Sequence, residues 1–549
     1  MTVRTCNRIS RACWALPILA ASLMGCSHKA HRPKQVTYVT HERVLARLPG
    51  EGQAKRLVVS PDGRKIAYIE QRDGYRVVVD GKPGRRYTNI PGLLFSANSR
   101  RVGYFAQRGG KWFAVVNGRE GRAYEEVRNL RFSPSSRRVA YLASRGGKQF
   151  YVVDGREGTK HDQVYAPFTN LYWWGTISYR ASRQLPLVCF EGMRTPFDPV
   201  EFARAHLPFS PNSRHFAYVT RRGKEWFLVR DGVESQPYDH PLHINGFSPD
   251  SRRLAWIAHY GQYWAAVVDG KEGARHLVGG MMPDILFSPD SRYFAYVVRE
   301  GSVRKPQCFV VIDGRQSPVY SGIGKPVFSP DSRQIAYSAR RGARACTVAN
   351  GREGPWYDMV EAPSFSPDSK RIAYSARKGG KLMVVVDGAE SPKYDRIQGL
   401  RFSPDSRHLS YIGTKGKLWF VVLDNQEKAH YECIWCDPMV FSADSRHSAY
   451  VVSMGPPRYR SFAVIDGKPE PSYDSVRTPV FSPDSRHVAY AARQGKKQFV
   501  VVDGHKGPGA EPFYDFGTPI FDDSHHLYTL ALRKQQILRM EVEIQPADN

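Results

Sequence analysis

The residues best suited to chemistry in this chain are cations on short glycine-containing segments. They read Arg108-Gly-Gly-Lys111, Arg145-Gly-Gly-Lys148, Arg221-Arg-Gly-Lys224, Arg340-Arg-Gly-Ala-Arg344, Arg377-Lys-Gly-Gly-Lys381, Lys415-Gly-Lys417 and Arg493-Gln-Gly-Lys496-Lys497. If these turns share one face, their charges gather into a basic rim that attracts anions over a Debye length, roughly 8 Å at physiological salt. The same residue types also simply solvate tight turns. Trp173 and Trp174, adjacent on a turn, are poor turn formers but good stacking surfaces for a sugar or a protein, or for packing inside the fold. Cys433-Ile-Trp-Cys436 is a lone C-x-x-C. Zinc needs a second ligand pair, which the sequence does not show, so a local disulfide or two free thiols is expected and no metal. Catalytic signatures are missing as well: no Gly-x-Ser-x-Gly elbow, no His-Glu-x-x-His and no phosphate-binding glycine loop. No catalytic residue and no cofactor is expected.

These turns must be positioned by something, and the chain supplies it by repetition. Phe-Ser-Pro-Asp-Ser-Arg and close variants begin at Val59, Phe95, Phe132, Phe209, Phe247, Phe287, Phe328, Phe365, Phe402, Phe441, Phe481 and, degenerately, Phe521. The one long interval, 77 residues from Phe132 to Phe209, fits two units with a disguised start near Asn170. Thirteen units of roughly 40 residues result, the length of one four-stranded propeller blade.

Each unit reads as strand, turn, strand, turn, strand, turn, strand. Ser-Pro-Asp-Ser is a turn: proline pre-sets φ, and Asp and Ser bond back to the backbone. An alternating stretch such as Ile372-Ala-Tyr-Ser-Ala376 follows, then a Gly-Lys turn. The next run, such as Leu382-Met-Val-Val-Val386, is continuously apolar, as a strand covered on both faces would be. It ends eight times in Asp-Gly and twice in Asn-Gly, the residues of a type I′ hairpin turn. The recurrent Asp of Ser-Pro-Asp is therefore read as a turn residue, and His408, His447 and His487 as surface residues flanking that turn. Cys189, Cys308 and Cys346 lie in apolar runs and are expected to be buried.

Phe-Ser-Pro-Asp-Ser-Arg-x-x-Ala-Tyr resembles the WD-like propeller repeat of TolB-type periplasmic proteins over residues 59–545, although that family's usual form has Gly where Ser stands here. Val59-Ser-Pro-Asp-Gly-Arg64 keeps the glycine. The resemblance implies a β-propeller and says little about function, because such blades serve many roles. Thirteen blades exceed one ordinary ring, so two rings of six and seven are expected. They would span residues 36–286 and 287–549, with the break between 287 and 328. The last unit lacks its outer strand, and Val36 to Leu48 is the segment expected to supply it.

The N-terminus carries its own address. Arg4, Arg8 and Arg11 precede an apolar stretch from Ala12 to Met24, too short to span a bilayer and right for a signal-peptide core. Leu23-Met24-Gly25-Cys26 resembles the lipobox of bacterial lipoproteins, which implies cleavage after residue 25 and lipid on Cys26. Residues 26–35 then form a tether, and the protein is expected in the periplasm, held to a bacterial membrane, the outer one by the Ser27 that follows. Composition completes the picture: 80 basic against 52 acidic residues give a net charge of +28 in 549 residues. Hydrophobic and charged fractions are ordinary, which excludes a disordered or collagen-like chain. The expected partner is an envelope protein or an anionic polysaccharide or lipid. An exported lipoprotein would rarely meet nucleic acid. The expected role is a non-catalytic scaffold, with a glycan-active lyase or hydrolase working inside a propeller channel as the alternative.

Overall fold

The computed structural model describes residues 36–48, 54–165, 209–240, 242–277, 284–302, 305–432, 435–436, 438–455, 459–509, 518–533 and 536–546. Among them the chain forms strands and turns and no helix. The expectations for Cys26, Trp173, Trp174, Cys189, Cys433 and the Cys436 thiol lie outside the described residues and side chains.

Twelve small antiparallel sheets follow one another. They begin at Ala54, Leu93, Glu126, Gln163, His243, Leu286, Gly322, Met359, Arg396, Trp435, Ser475 and Ile520 and are numbered 1 to 12 here. Sheet 9 shows the plan: strand a is Arg396–Phe402, b is Leu409–Lys415, c is Leu418–Leu423 and d is Gln426–Glu432. Strands b and c are the buried ones; in sheet 8, Ala373, Val384 and Val385 are fully covered, whereas strand d, Ala389–Glu390, is exposed. The continuous apolar run of strand c thus has the cover on both faces that its sequence calls for.

The c–d turns have the expected geometry. Asp387 and Gly388, for example, both have positive φ, 49° and 89°, as a type I′ turn requires. The a–b turn explains the serine that stands where the first unit keeps Gly63. Ser99, Ser332 and their equivalents adopt φ between about 60° and 69°, a region that costs a non-glycine residue about 1–2 kcal/mol. In return, the serine hydroxyl accepts the N–H of the preceding sheet's turn: Asp62 donates to Ser99 Oγ (3.0 Å), Asp290 to Ser332 Oγ (2.9 Å). Ten such bonds join sheets 1 through 11. A hydrogen bond of this kind is worth about 1 kcal/mol net, so it offsets the backbone strain and adds register.

Three expectations are corrected or met by the sheets. Strand a of sheet 4, Gln163–Tyr165, pairs with Val219–Arg221 of strand b, and Phe209 bridges Phe216. Residues 166–208 therefore fall between the two halves of one strand a. In the chain they interrupt the fourth unit; the start expected near Asn170 lies outside the described residues, and the described sheets number twelve, not thirteen. The spacing agrees: Tyr394 and Phe402 are 8 residues apart, the equivalent His161 and Phe209 are 48 apart.

The described sheets do not show the expected division into two rings, 36–286 and 287–549. Buried side chains join each sheet to the next without a break: Ala295, Val297 and Val310 of sheet 6 pack with Tyr337 and Val348 of sheet 7. Sheet 1 packs on sheet 2 through Ile69, Tyr104 and Val115, and on sheet 12 through Leu57, Tyr68, Leu45 and Ile537. Had a first ring closed near residue 287, sheet 1 would have met sheet 6. The described sheets make one closed circuit. The circuit is clasped as expected: Val36–Arg47 is strand d of sheet 12, paired from Val36 opposite Pro546 to Arg47 opposite Gln536 with one register shift between Val44 and Ala46.

Candidate functional site

Antiparallel pairing puts the b–c turns at one end of their sheets and the a–b and c–d turns at the other, so the molecule has two turn faces. On the b–c face the turns are glycine turns, with Gly109 and Gly110 at φ 56° and 71°. The Asp of the preceding Tyr-Asp connection, His161-Asp162 in sheet 4, caps them: Gly223 N–H donates to Asp162 Oδ2 (2.7 Å), Gly416 to Asp395 (2.7 Å), Gly495 to Asp474 (2.6 Å). The Tyr of that connection donates onward to a glutamate of the next sheet, as Tyr87 to Glu120 (2.8 Å) and Tyr394 to Glu427 (2.9 Å). Burial first, then the Glu120 contact for Tyr87 and the neighbouring Tyr411 with Glu427 for Tyr394, holds these phenols protonated well above their usual range. Lys415 in turn lowers the Glu427 carboxyl.

That network takes up much of the expected basic rim. Arg108 pairs with Glu120 (2.9 Å), Arg145 with Glu157 (3.2 Å), Lys148 with Asp162 (2.5 Å), Lys415 with Glu427 (2.5 Å) and Lys381 with Asp395. Arg344 donates to the Trp356 carbonyl (2.6 Å), and the Arg221 guanidinium lies over the Trp226 ring. Lys111, Lys224, Arg340, Arg377, Lys417 and Lys496 are exposed and have no carboxylate partner among the described residues. The rim therefore exists as six free cations set among neutralised pairs.

The opposite face carries residues that the sequence reading passed over. The Arg of the motif itself, at positions such as Arg100, Arg252, Arg292 and Arg407, projects outward; the Arg252 side chain is 88% exposed. Its backbone N–H caps the turn while its guanidinium stays only within 4.0 Å of the Asp two residues earlier. A turn needs no arginine there, and that was the available signal. The next residue is committed differently. Arg253 binds Asp269 (2.9 Å) and donates to the carbonyl of Arg292 in the next sheet (2.7 Å). Where this residue is histidine, the same aspartate holds it: His408–Asp424, His447–Asp466 and His487–Asp503, at 2.7, 2.8 and 2.7 Å. These histidines are turn-flanking, as expected, and each is tied to an aspartate.

A cleft of about 620 Å³ opens on this face where sheets 10, 11 and 12 meet, lined by Tyr38, His447, Lys468, Arg486, His487 and His505 among others. Asp503 is saturated within it. One carboxylate oxygen accepts from Val488 N–H (2.8 Å); the other faces His487 and accepts from Tyr38 (3.1 Å). The Asp503 hydrogen bond, ahead of the opposing burial, raises the His487 pKa. Among the described residues no three His, Cys, Asp or Glu side chains converge as metal ligands. Cys308 and Cys346 are buried free thiols, and burial pushes Cys346 up to about 11, which makes it inert.

The closed series of four-stranded sheets defines the chain as a β-propeller protein. Comparison with known proteins adds little. No family model and no curated protein matches. Among solved structures, a eukaryotic initiation factor is 13% identical over 61% of this chain and 99% of its own, with a TM-score of 0.33. TolB from Acinetobacter baumannii is 13% identical over 63% and 84%, at 0.21. The β-propeller domain of the Trilobed protease from Pyrococcus furiosus is 11% identical over 49% and 97%, at 0.25. Likeness this distant assigns no activity to the chain.

Proposed function

We propose that this protein is an exported, lipid-anchored β-propeller platform that holds an envelope protein or an anionic glycan without catalysis. The six free cations of the b–c face carry this reading. They come from separate sheets of one closed circuit, so an anionic partner meets prearranged charge and little ordering cost falls on the protein. The anchor rests on Leu23-Met24-Gly25-Cys26, which would place lipid on Cys26 and hold the propeller at a membrane through a short basic tether.

The test is a pull-down of the mature protein with envelope polysaccharide across a salt series. Exchanging Lys111, Lys224, Arg340, Arg377, Lys417 and Lys496 for Gln should abolish retention that the parent chain loses only as salt rises. Retention indifferent to salt and to these substitutions overturns the anionic-partner reading. Turnover of the polysaccharide overturns the non-catalytic one. Loss of membrane association in a Cys26→Ser chain checks the anchor.

A further inference from the structure

The a–b and c–d turns repeat around the circuit, and on three consecutive sheets the a–b turn loses its acid but keeps its cation. In sheets 1 and 5 through 11 an Asp stands two residues before the motif's Arg or Lys, as in Asp62/Arg64 and Asp290/Arg292. In sheets 2, 3 and 4 that position is Asn98, Ser135 and Asn212, while Arg100, Arg137 and Arg214 remain. Sheet 2 also has Asn117 in place of the c–d turn aspartate, and Arg119 and Arg156 follow the c–d turns of sheets 2 and 3. Counting Arg101 and Arg138 as well, the turns of this arc present seven arginines against two aspartates, Asp154 and Asp231. The same positions of sheets 9 to 11 present four Arg or Lys against six aspartates.

Turn geometry does not demand the change. Asn98 Oδ1 accepts from Ser96 Oγ (2.8 Å) and from Arg100 N–H (3.2 Å), the same two bonds that Asp290 accepts from Ser288 and Arg292. Asn212 does likewise with Ser210 and Arg214 (2.8 and 2.9 Å). The amide keeps the fold's hydrogen bonds, removes one negative charge per turn and presents an N–H₂ donor at its other end. The three turns are also in direct contact. Asn98 N–H reaches Ser136 Oγ (3.0 Å), Ser135 N–H reaches Ser213 Oγ (2.8 Å), and Arg101 and Arg138 donate to the carbonyls of Arg137 and Arg214 (both 2.9 Å). Arg100, Arg137 and Arg214 thus stand exposed on a continuous, hydrogen-bonded arc.

We infer that this arc of sheets 2 to 4 is a binding site for a linear anionic polysaccharide whose carboxylate or phosphate groups are taken one by one by Arg100, Arg137 and Arg214. The cations are spread along an arc, one exposed motif arginine per sheet, which suits a polymer with a repeating charge and not a single small anion. They are all arginine, whose planar fork pairs with carboxylate and phosphate through two hydrogen bonds. The turn residues 96–101, 133–138 and 210–215 hold no Phe, Tyr or Trp on which a nucleic-acid base could stack, but they do offer amide and hydroxyl groups suited to a sugar. The site lies on the face opposite the b–c cations and is independent of them.

The decisive variant restores the chain's own pattern: Asn98→Asp with Ser135→Asp and Asn212→Asp. It leaves every arginine in place; at 98 and 212 it also keeps the turn bonds and changes only charge, while at 135 it lengthens the side chain to the one the other turns carry. Binding of the mature chain to polygalacturonate (carboxylate) and to dextran phosphate (phosphate) should weaken about tenfold or more at about 100 mM salt, with a shallower salt dependence. Its melting temperature should not fall. Arg100→Gln with Arg137→Gln and Arg214→Gln should do the same, whereas Arg292→Gln with Arg333→Gln and Arg407→Gln should leave affinity within about twofold. Preference for one probe identifies which anion the arc takes. Equal losses in the two arginine triples, or stronger binding of duplex DNA than of either polysaccharide, overturn the inference. Binding that survives the sheet 2–4 variants and falls only with Lys111, Lys224 and Lys417 exchanged for Gln overturns the arc and leaves the proposed platform standing; binding altered by none of these sets overturns both.

Discussion

Between sheets 6 and 7, Asp290 N–H meets Ser332 Oγ at 2.9 Å, a small polar contact that is repeated at nine other junctions. Between sheets 12 and 1 the serine is absent, its place taken by Gly63, and a single large cation replaces the hydroxyl. Arg539, 1% exposed, donates to the Asp62 carbonyl (2.7 Å), pairs with Asp522 and Glu541 (both 2.5 Å) and lies over the Tyr528 ring at 3.5 Å. Outside it, Arg64 also reaches Asp522 (3.2 Å), and Arg533 grips Glu42 on the clasp strand through two 2.7 Å bonds. The difference teaches how a long repeat closes. Consecutive units are held together by the chain itself, so a weak bond for register is enough. The seam joins the two ends of the described chain, where no covalent link helps, and it concentrates paired strands, buried apolar groups and ion pairs in one place.

The comparison can be broken in steps. Deleting residues 36–48 removes the clasp strand with Leu45 and Leu48, both 7% exposed; losing those two leucines alone costs about 4–10 kcal/mol, so melting temperature should drop further than for any point variant. An unchanged melting temperature would show that the seam does not hold the circuit. Arg539→Ala removes the buried cation of Asp522, leaving it only the exposed Arg64, and opens the contact to Asp62, for about 3–5 kcal/mol read by denaturant unfolding. Gly63→Ser installs at the seam the residue found at the other junctions. A β-carbon there falls 2.1 Å from Tyr528 Cε2 at φ 63°, so about 2–4 kcal/mol should be lost where the repeat would suggest none.

The reverse exchange, Ser332→Gly, relieves φ 65° while losing one acceptor, and should stay within about 1 kcal/mol of the parent. The smallest effect concerns His487, beside the seam. Its pKa is raised in the folded state by Asp503, against burial and Arg486; Asp484 adds to the rise, and Tyr38, His505 and His525 are its other neighbours. The raised value means that its stabilisation is fully present below the unfolded pKa of about 6.5 and is lost as pH rises through the folded value. His487→Gln should flatten that limb of the melting-temperature profile and leave higher pH unaffected.

Some of this was legible in the residues. Asp-Gly announced the type I′ turns, Leu382–Val386 announced a covered strand, and the missing outer strand of the last unit pointed to Val36–Leu48. Other parts were hidden for physical reasons. Residues 166–208 have the length of a unit, and only the pairing of Gln163–Tyr165 with Val219–Arg221 shows that they interrupt the fourth one. The partners of Arg108 and Lys148 lie 12 and 14 residues on, across a strand and a turn, so the rim looked freer than it is. The motif's own arginine escaped notice because its constancy resembled turn chemistry.

Local chemistry determined the unit. Proline, aspartate, serine and glycine set turns whose preferences act within a few residues, and the apolar runs between them must form strands wherever they stand. Tertiary structure alone decided how many units close, because the ten junctions from sheet 1 to sheet 11 all use the same short contact and none of them encodes a number. It also decided which charges are spent and which remain, since an ion pair depends on where a neighbouring sheet brings its carboxylate.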